Sequence, residues 1–138
     1  MRLPSNVKPY PPFIKYFVSL DKGFNFGKTI YLNKAIYEDL LKDKPNNLSI
    51  AVLKHEEIHV ESVKEKGVLK FGIKYIFSPK FRLHEELIAY EEMFKFLKQK
   101  DETYNLDRVA KALSSHRYLW VLSYPQAKDI LQKLWKEV

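Results

Sequence analysis

Two histidines four residues apart, His55 and His59, stand mid-way along the stretch NNLSIAVLKHEEIHVESVKEKG (46 to 67), and no other feature constrains the fold as strongly. Asn47 or Ser49 as an opening residue and Gly67 as a stop are helix boundary signals, so the pair is predicted to sit mid-helix. Residues four apart share one helical face, which lets both imidazoles bind one zinc ion in two of its four positions. Glu56 is turned roughly 100° from His55, beside such a metal rather than on it. A carboxylate in that place can take a proton from a water activated by the metal. Without a ligand, the two histidines would share an apolar face with Leu48, Ala51, Val52 and Val63, and each would need its own hydrogen-bond partner to offset burial.

The chain has no cysteine, so thiolate ligands are excluded and any metal must be held by His, Asp, Glu or water. A catalytic zinc needs a third protein ligand and keeps its fourth position open. The helix signals that begin at Pro79, in PKFRLHEELIAYEEMFKFLKQK, place Leu83, Leu87, Tyr90, Phe94 and Leu97 at the spacing of a buried stripe. Glu86 falls about 60° from the centre of that stripe, whereas Glu85 falls nearly opposite it and His84 on the far flank. Glu86 is therefore the carboxylate drawn toward the interior, where a zinc ion would offset its burial. Glu85, Glu91 and Glu92 are expected on a solvated acidic face.

The remaining segments define an α+β chain. FIKYFVSL (13 to 20) and FNFGKTIYL (24 to 32), rich in aromatic and β-branched residues and separated by DKG, predict a small N-terminal antiparallel sheet or hairpin. A predominantly helical portion follows: a short helix before Pro45, the histidine helix, the glutamate helix, a helix from Asp107 and a last one from Pro125. The 138 residues suit one domain. Pro4, Pro9, Pro11, Pro12 and Lys15 interrupt any signal peptide or membrane span at the N-terminus, so a cytoplasmic location is the expectation.

The pair VLKHEEIHVE (52 to 61) and RLHEELIAYEE (82 to 92) resembles the gluzincins, metallopeptidases with two histidines from HExxH and a glutamate from a following helix. The chain is most similar to the small single-domain minigluzincins, whose glutamate helix carries an E-x-x-A-Y pattern. By matching position, the resemblance implies that His55, His59 and Glu86 bind one zinc and that Glu56 is the general base. It further implies hydrolysis of peptide bonds in a peptide or protein substrate added along a sheet edge, with residues 101–138 as a segment able to keep the enzyme latent. RYLWVLSYP (117 to 125) reads as extended and suited to filling a groove. Such proteins usually have uncharged inner positions in the motif; here one is Glu57, read as exposed. Tyr90, His116, Arg117 and Tyr118 are candidates for oxyanion or substrate contacts, and spacing selects none of them.

Other readings remain beside this one. The same fold without catalysis would be a zinc-stabilised binding protein. Lys+Arg 24 against Asp+Glu 17 leaves a charge of +7, and KFGIKYIFSPKFR is a basic strip interleaved with aromatics, as in nucleic-acid binding, although no helix-turn-helix or RNA-binding signature accompanies it and none is expected as a partner. That strip could also lie on a membrane surface, Lys70 and Lys74 forming a narrow stripe, but a core helix with exposed lysines is the commoner meaning. A homodimer is one possible assembly.

Overall fold

The central strand of the sheet owes its place to alternation: in β3 (Thr29–Leu32), Ile30 and Leu32 are buried while Thr29 and Tyr31 are half-covered. The computed structural model describes residues 1–12, 23–119 and 121–138, and leaves the side chain of Arg117 undescribed. β1 (Val7–Pro9) runs parallel to β3 on one side, and β2 (Gly23–Phe26) antiparallel on the other, so among the described residues β2 is an edge strand. A hairpin forms within the second of the two expected strand segments. FNFGKTIYL is not one strand but both arms, closed by a two-residue turn at Gly27 and Lys28, and FIKYFVSL lies outside the described residues. Gly27, with φ +57°, supplies the positive dihedral that the first central position of such a turn requires.

Six helices follow among the described residues. Asn33 caps α1 (Lys34–Leu40) by accepting from the Ile36 amide. α2 (Asn47–Lys66) begins where Asp39 at the end of α1 accepts from both the backbone and side-chain nitrogens of Asn46, at 2.8 and 3.0 Å. Gly67, at φ +89°, ends α2 and immediately begins α3 (Val68–Phe77), which turns the chain sharply back. Ser78 caps α4 (Pro79–Gln99), with Pro79 in the first turn. α5 (Leu106–Leu113), a 3₁₀ turn at His116–Tyr118 and α6 (Tyr124–Glu137) complete the chain. An α+β layout is thus present, with a small sheet followed by helices.

α2 and α4 form the principal helix pair. The buried arc of α4 comprises Arg82, Glu85, Glu86, Ala89, Tyr90, Met93, Phe94 and Leu97, centred near Glu86, roughly 70° from the direction of Leu83. Leu83 and Leu87 are only half-buried, because α4 is covered by α2, α3 and α6 and not from one side. Glu85 accordingly is not solvated: it is buried and accepts from Ser62 Oγ at 2.9 Å, with Lys66 Nζ 3.5 Å away. Leu48, expected on the histidine face, is exposed at the start of α2. Val109, Ala110, Leu113, Ala127 and Leu131 of α5 and α6 belong to the same core as Ile30, Val52 and Phe94, and Trp135 packs edge-on against Phe94. The stretch from 117 does not start as a strand: Tyr118 closes a 3₁₀ turn and Leu119 adopts φ +54°.

Hydrogen bonds from Ser49, Lys42 and the Asn46 amide lower the Asp39 pKa to about 2 from 3.8. A carboxyl depressed on folding adds stability that is complete above the unfolded value and vanishes as pH falls through the folded one. The Tm difference between wild type and Asp39→Asn is therefore expected to be full above about pH 4 and to close toward pH 2. A gap that stays constant across that window in thermal melts would contradict this assignment.

Candidate metal centre

α2 and α4 bring three buried side chains to one point: His55 and His59 from one helix, Glu86 from the other. The two Nε2 atoms are 3.3 Å apart; His55 Nε2 lies 3.4 Å from Glu86 Oε2 and His59 Nε2 3.4 Å from Glu86 Oε1. One ligand atom from each lies within 4.8 Å of the others, so the group can hold a metal ion. Neither histidine has the separate partner that a purely structural role demands. Both Nδ1 atoms and Glu86 Oε2 are buried without a hydrogen-bond partner among the described residues. Among the described residues the polar contacts of the two imidazoles are with each other and with Glu86, and the Tyr90 ring centroid is 4.4 Å from that of His55.

Charge balance explains why these groups tolerate burial together. Burial alone would lower the His59 pKa, but the charge of Glu86, its hydrogen bond, and the more distant Glu56 and Glu85 raise it to about 9. Burial likewise works to raise Glu86, and the two imidazoles overcome it and hold the carboxyl well below the usual carboxylate range. A positive charge beside Glu86, on His59 or on a bound cation, is what this arrangement favours.

Glu56 sits beside this triangle on the wall of a cavity of about 570 Å³. Burial pushes its carboxyl up, only partly opposed by the two histidines. The cavity runs between the edge strand β2 and α3, with the three ligands, Val63, Tyr75 and Tyr118 also on its walls. Gly23 explains how the strand comes so close. A Cβ built there would stand 2.9 Å from Leu32 Cδ2 and 3.3 Å from both Cγ and Oε1 of Glu56.

Of the other sequence candidates, Tyr118 lines the cavity, Tyr90 is buried against His55 with its hydroxyl hydrogen-bonded to that of Tyr118, and His116 is exposed at the start of the 3₁₀ turn and does not line the cavity. The Arg117 side chain lies outside the described residues. Glu57 is half-buried near Lys54 rather than exposed, and it does not line the cavity. Sequence reasoning missed Tyr75, which donates its hydroxyl to Glu86 Oε1 at 2.5 Å. Burial and the Glu86 charge push the Tyr75 hydroxyl far above its ordinary value, so it stays a donor. Its signal was the Phe71–Tyr75 spacing on the side of α3 away from Leu69 and Ile73.

Arg82 was missed as well, though it stands four residues before Glu86 on the same face. It is almost fully buried, with Nη1 donating to the carbonyls of Tyr75 and Ile76 and Nε to that of Tyr118. One guanidinium thereby satisfies the last carbonyls of α3, favourably placed at that helix's negative end, and ties them to the 3₁₀ turn. No family model matches the chain, and no curated protein and no solved structure matches it.

Replacing Arg82 with methionine keeps the bulk and strands three carbonyls. We expect Arg82→Met to cost about 2–3 kcal/mol in urea unfolding; a loss under about 0.5 kcal/mol would mean that water reaches those carbonyls freely.

Proposed function

We propose that His55, His59 and Glu86 hold one zinc ion and that the chain is a peptidase of the gluzincin type, with Glu56 as general base. The observation that carries this reading is the convergence of the three side chains: the two Nε2 atoms stand 3.3 Å apart, and each lies 3.4 Å from a different oxygen of the Glu86 carboxylate. Ligands about 2.0–2.1 Å from a tetrahedral zinc are separated by about 3.3–3.4 Å, and two imidazoles with one carboxylate form a donor set suited to that ion. At 3.4 Å the imidazole–carboxylate contacts are longer than the roughly 2.7–2.9 Å of a well-formed charge-assisted hydrogen bond.

A zinc ion so held would lower the pKa of a water and polarise a peptide carbonyl. The protein supplies the rest. Glu56, with its carboxyl raised by burial, is poised to accept a proton within the cavity and return it to a leaving amine. Tyr118, a lining residue whose hydroxyl is hydrogen-bonded to Tyr90, is the cavity's candidate donor to the charge that develops on a carbonyl oxygen. Tyr75, already bonded to Glu86, orients that ligand, as outer-shell partners of metal-bound carboxylates commonly do. β2, an edge strand among the described residues, borders the cavity and offers a backbone template to which an extended peptide can add.

Wild type prepared without chelating tags or buffers is expected to carry about one zinc per chain by elemental analysis, and Glu86→Ala and His59→Ala to lose most of it. Glu56→Gln should keep its zinc while peptide-library cleavage falls by about 10²–10⁴-fold. Zinc retained in wild type without any cleavage would favour a zinc-stabilised binding protein, and no zinc after supplementation would end both readings. Gly23→Ala tests the approach of strand to base: unchanged zinc content with about tenfold lower kcat/KM is expected, because the added methyl must displace Glu56 or Leu32.

A further inference from the structure

α3 departs from the pattern of a core helix. Seven of its ten residues are apolar or aromatic, yet Phe71 alone is fully buried. Val68, Leu69, Ile73, Ile76 and Phe77 each expose between 51% and 78% of their surface. With Val68 at zero, these five span an arc from 0 to about 180°, Lys70 and Lys74 follow at about 200° and 240°, and the inward Phe71 and Tyr75 at about 300° and 340°. Phe26, 78% exposed, extends the patch, since the neighbouring Gly27 lies against Val68 and all three border the cavity. Large apolar side chains gathered this way mark a surface that something covers.

Charge identifies what covers it. From Lys66 to His84 the chain has no acidic residue, although 17 are present in the whole. Lys70, Lys74 and Lys80 of this interval are exposed. A second copy packed face to face would set lysines against lysines with no acid in the patch to balance them. An anionic lipid surface satisfies both halves, taking up the apolar arc and attracting the flanking lysines. At about 15 Å long, α3 reaches only half-way through a hydrocarbon core of about 30 Å, and no described helix is long and apolar enough to cross a membrane.

We propose that α3 and Phe26 dock this protein on an anionic membrane surface, with the helix lying in the plane of the interface and the mouth of the cavity turned toward the bilayer. Docking is a property of this face and does not require the chain to cleave peptides; combined with the peptidase reading, it makes substrates those presented at a membrane surface.

The test is co-sedimentation of the full chain with vesicles of equal parts phosphatidylglycerol and phosphatidylcholine, against pure phosphatidylcholine. Wild type is expected to partition to the anionic vesicles, and Leu69→Asp/Phe77→Asp to do so about tenfold more weakly or worse. Lys70→Glu/Lys74→Glu should lose the preference for anionic lipid while retaining the wild-type circular dichroism spectrum, since both positions are exposed. Wild type that stays in the supernatant, or variants that sediment as it does, would overturn the proposal. So would a dimer in analytical ultracentrifugation that the Leu69→Asp/Phe77→Asp pair abolishes without any vesicle binding.

Discussion

The packing of α2 against α4 around three buried polar side chains is the constraint on which the rest of the molecule depends. His55, His59 and Glu86 have almost no exposure, and among the described residues their contacts are with one another, the Tyr75 hydroxyl and the Tyr90 ring. Each would cost several kcal/mol to bury alone. Together the cost falls, because the imidazoles and the Glu86 carboxylate stabilise opposite charges on one another, and the interhelical contact becomes a place where geometry is specified rather than merely tolerated. Apolar packing on either side, through Val52, Val60, Tyr90 and Phe94, holds the two helices at the separation that the ligand triangle requires.

Two further devices convert that contact into a cavity. The sharp reversal at Gly67 folds α3 back over the end of α2, where it forms the outer wall. Arg82 then fastens the end of α3 to α4 and to the 3₁₀ turn through three carbonyls. The opposite wall is β2, held close by the absence of a side chain at Gly23. Glu56 lies between these walls because it is one residue out of phase with the histidines on α2, and its burial follows from the strand packed over it rather than from the helix itself.

The same arrangement leaves α3 with one inward and one outward face. Phe71 and Tyr75 give the inward contacts, and the lysines and the large apolar residues occupy the rest. An outer wall that is both thin and apolar places the chemistry of the cavity next to whatever the outer face touches. That proximity links surface and centre physically, since α3 also carries the hydroxyl that bonds Glu86.

The histidine helix, its boundaries and the interior position of Glu86 were legible in the sequence because they rest on local rules: capping, a glycine stop and the period of 3.6 residues. So was the order of a small sheet followed by helices. FNFGKTIYL was read as a single strand because Gly27, whose positive dihedral makes the turn, looked like one glycine within a strand. Glu85 was misread because a helical wheel assumes one covered face, whereas α4 has neighbours on three sides. Tyr75, Arg82 and Gly23 owe their parts to contacts across 11, 36 and 33 residues of chain, and no periodicity reports on those. Sequence by itself determined which residues could meet a metal, since ligand chemistry and helical spacing are local. Tertiary structure alone decided that they converge to 3.3–3.4 Å, what walls enclose them and which apolar helix is left facing outward, because burial is settled only when distant elements compete for the same surface.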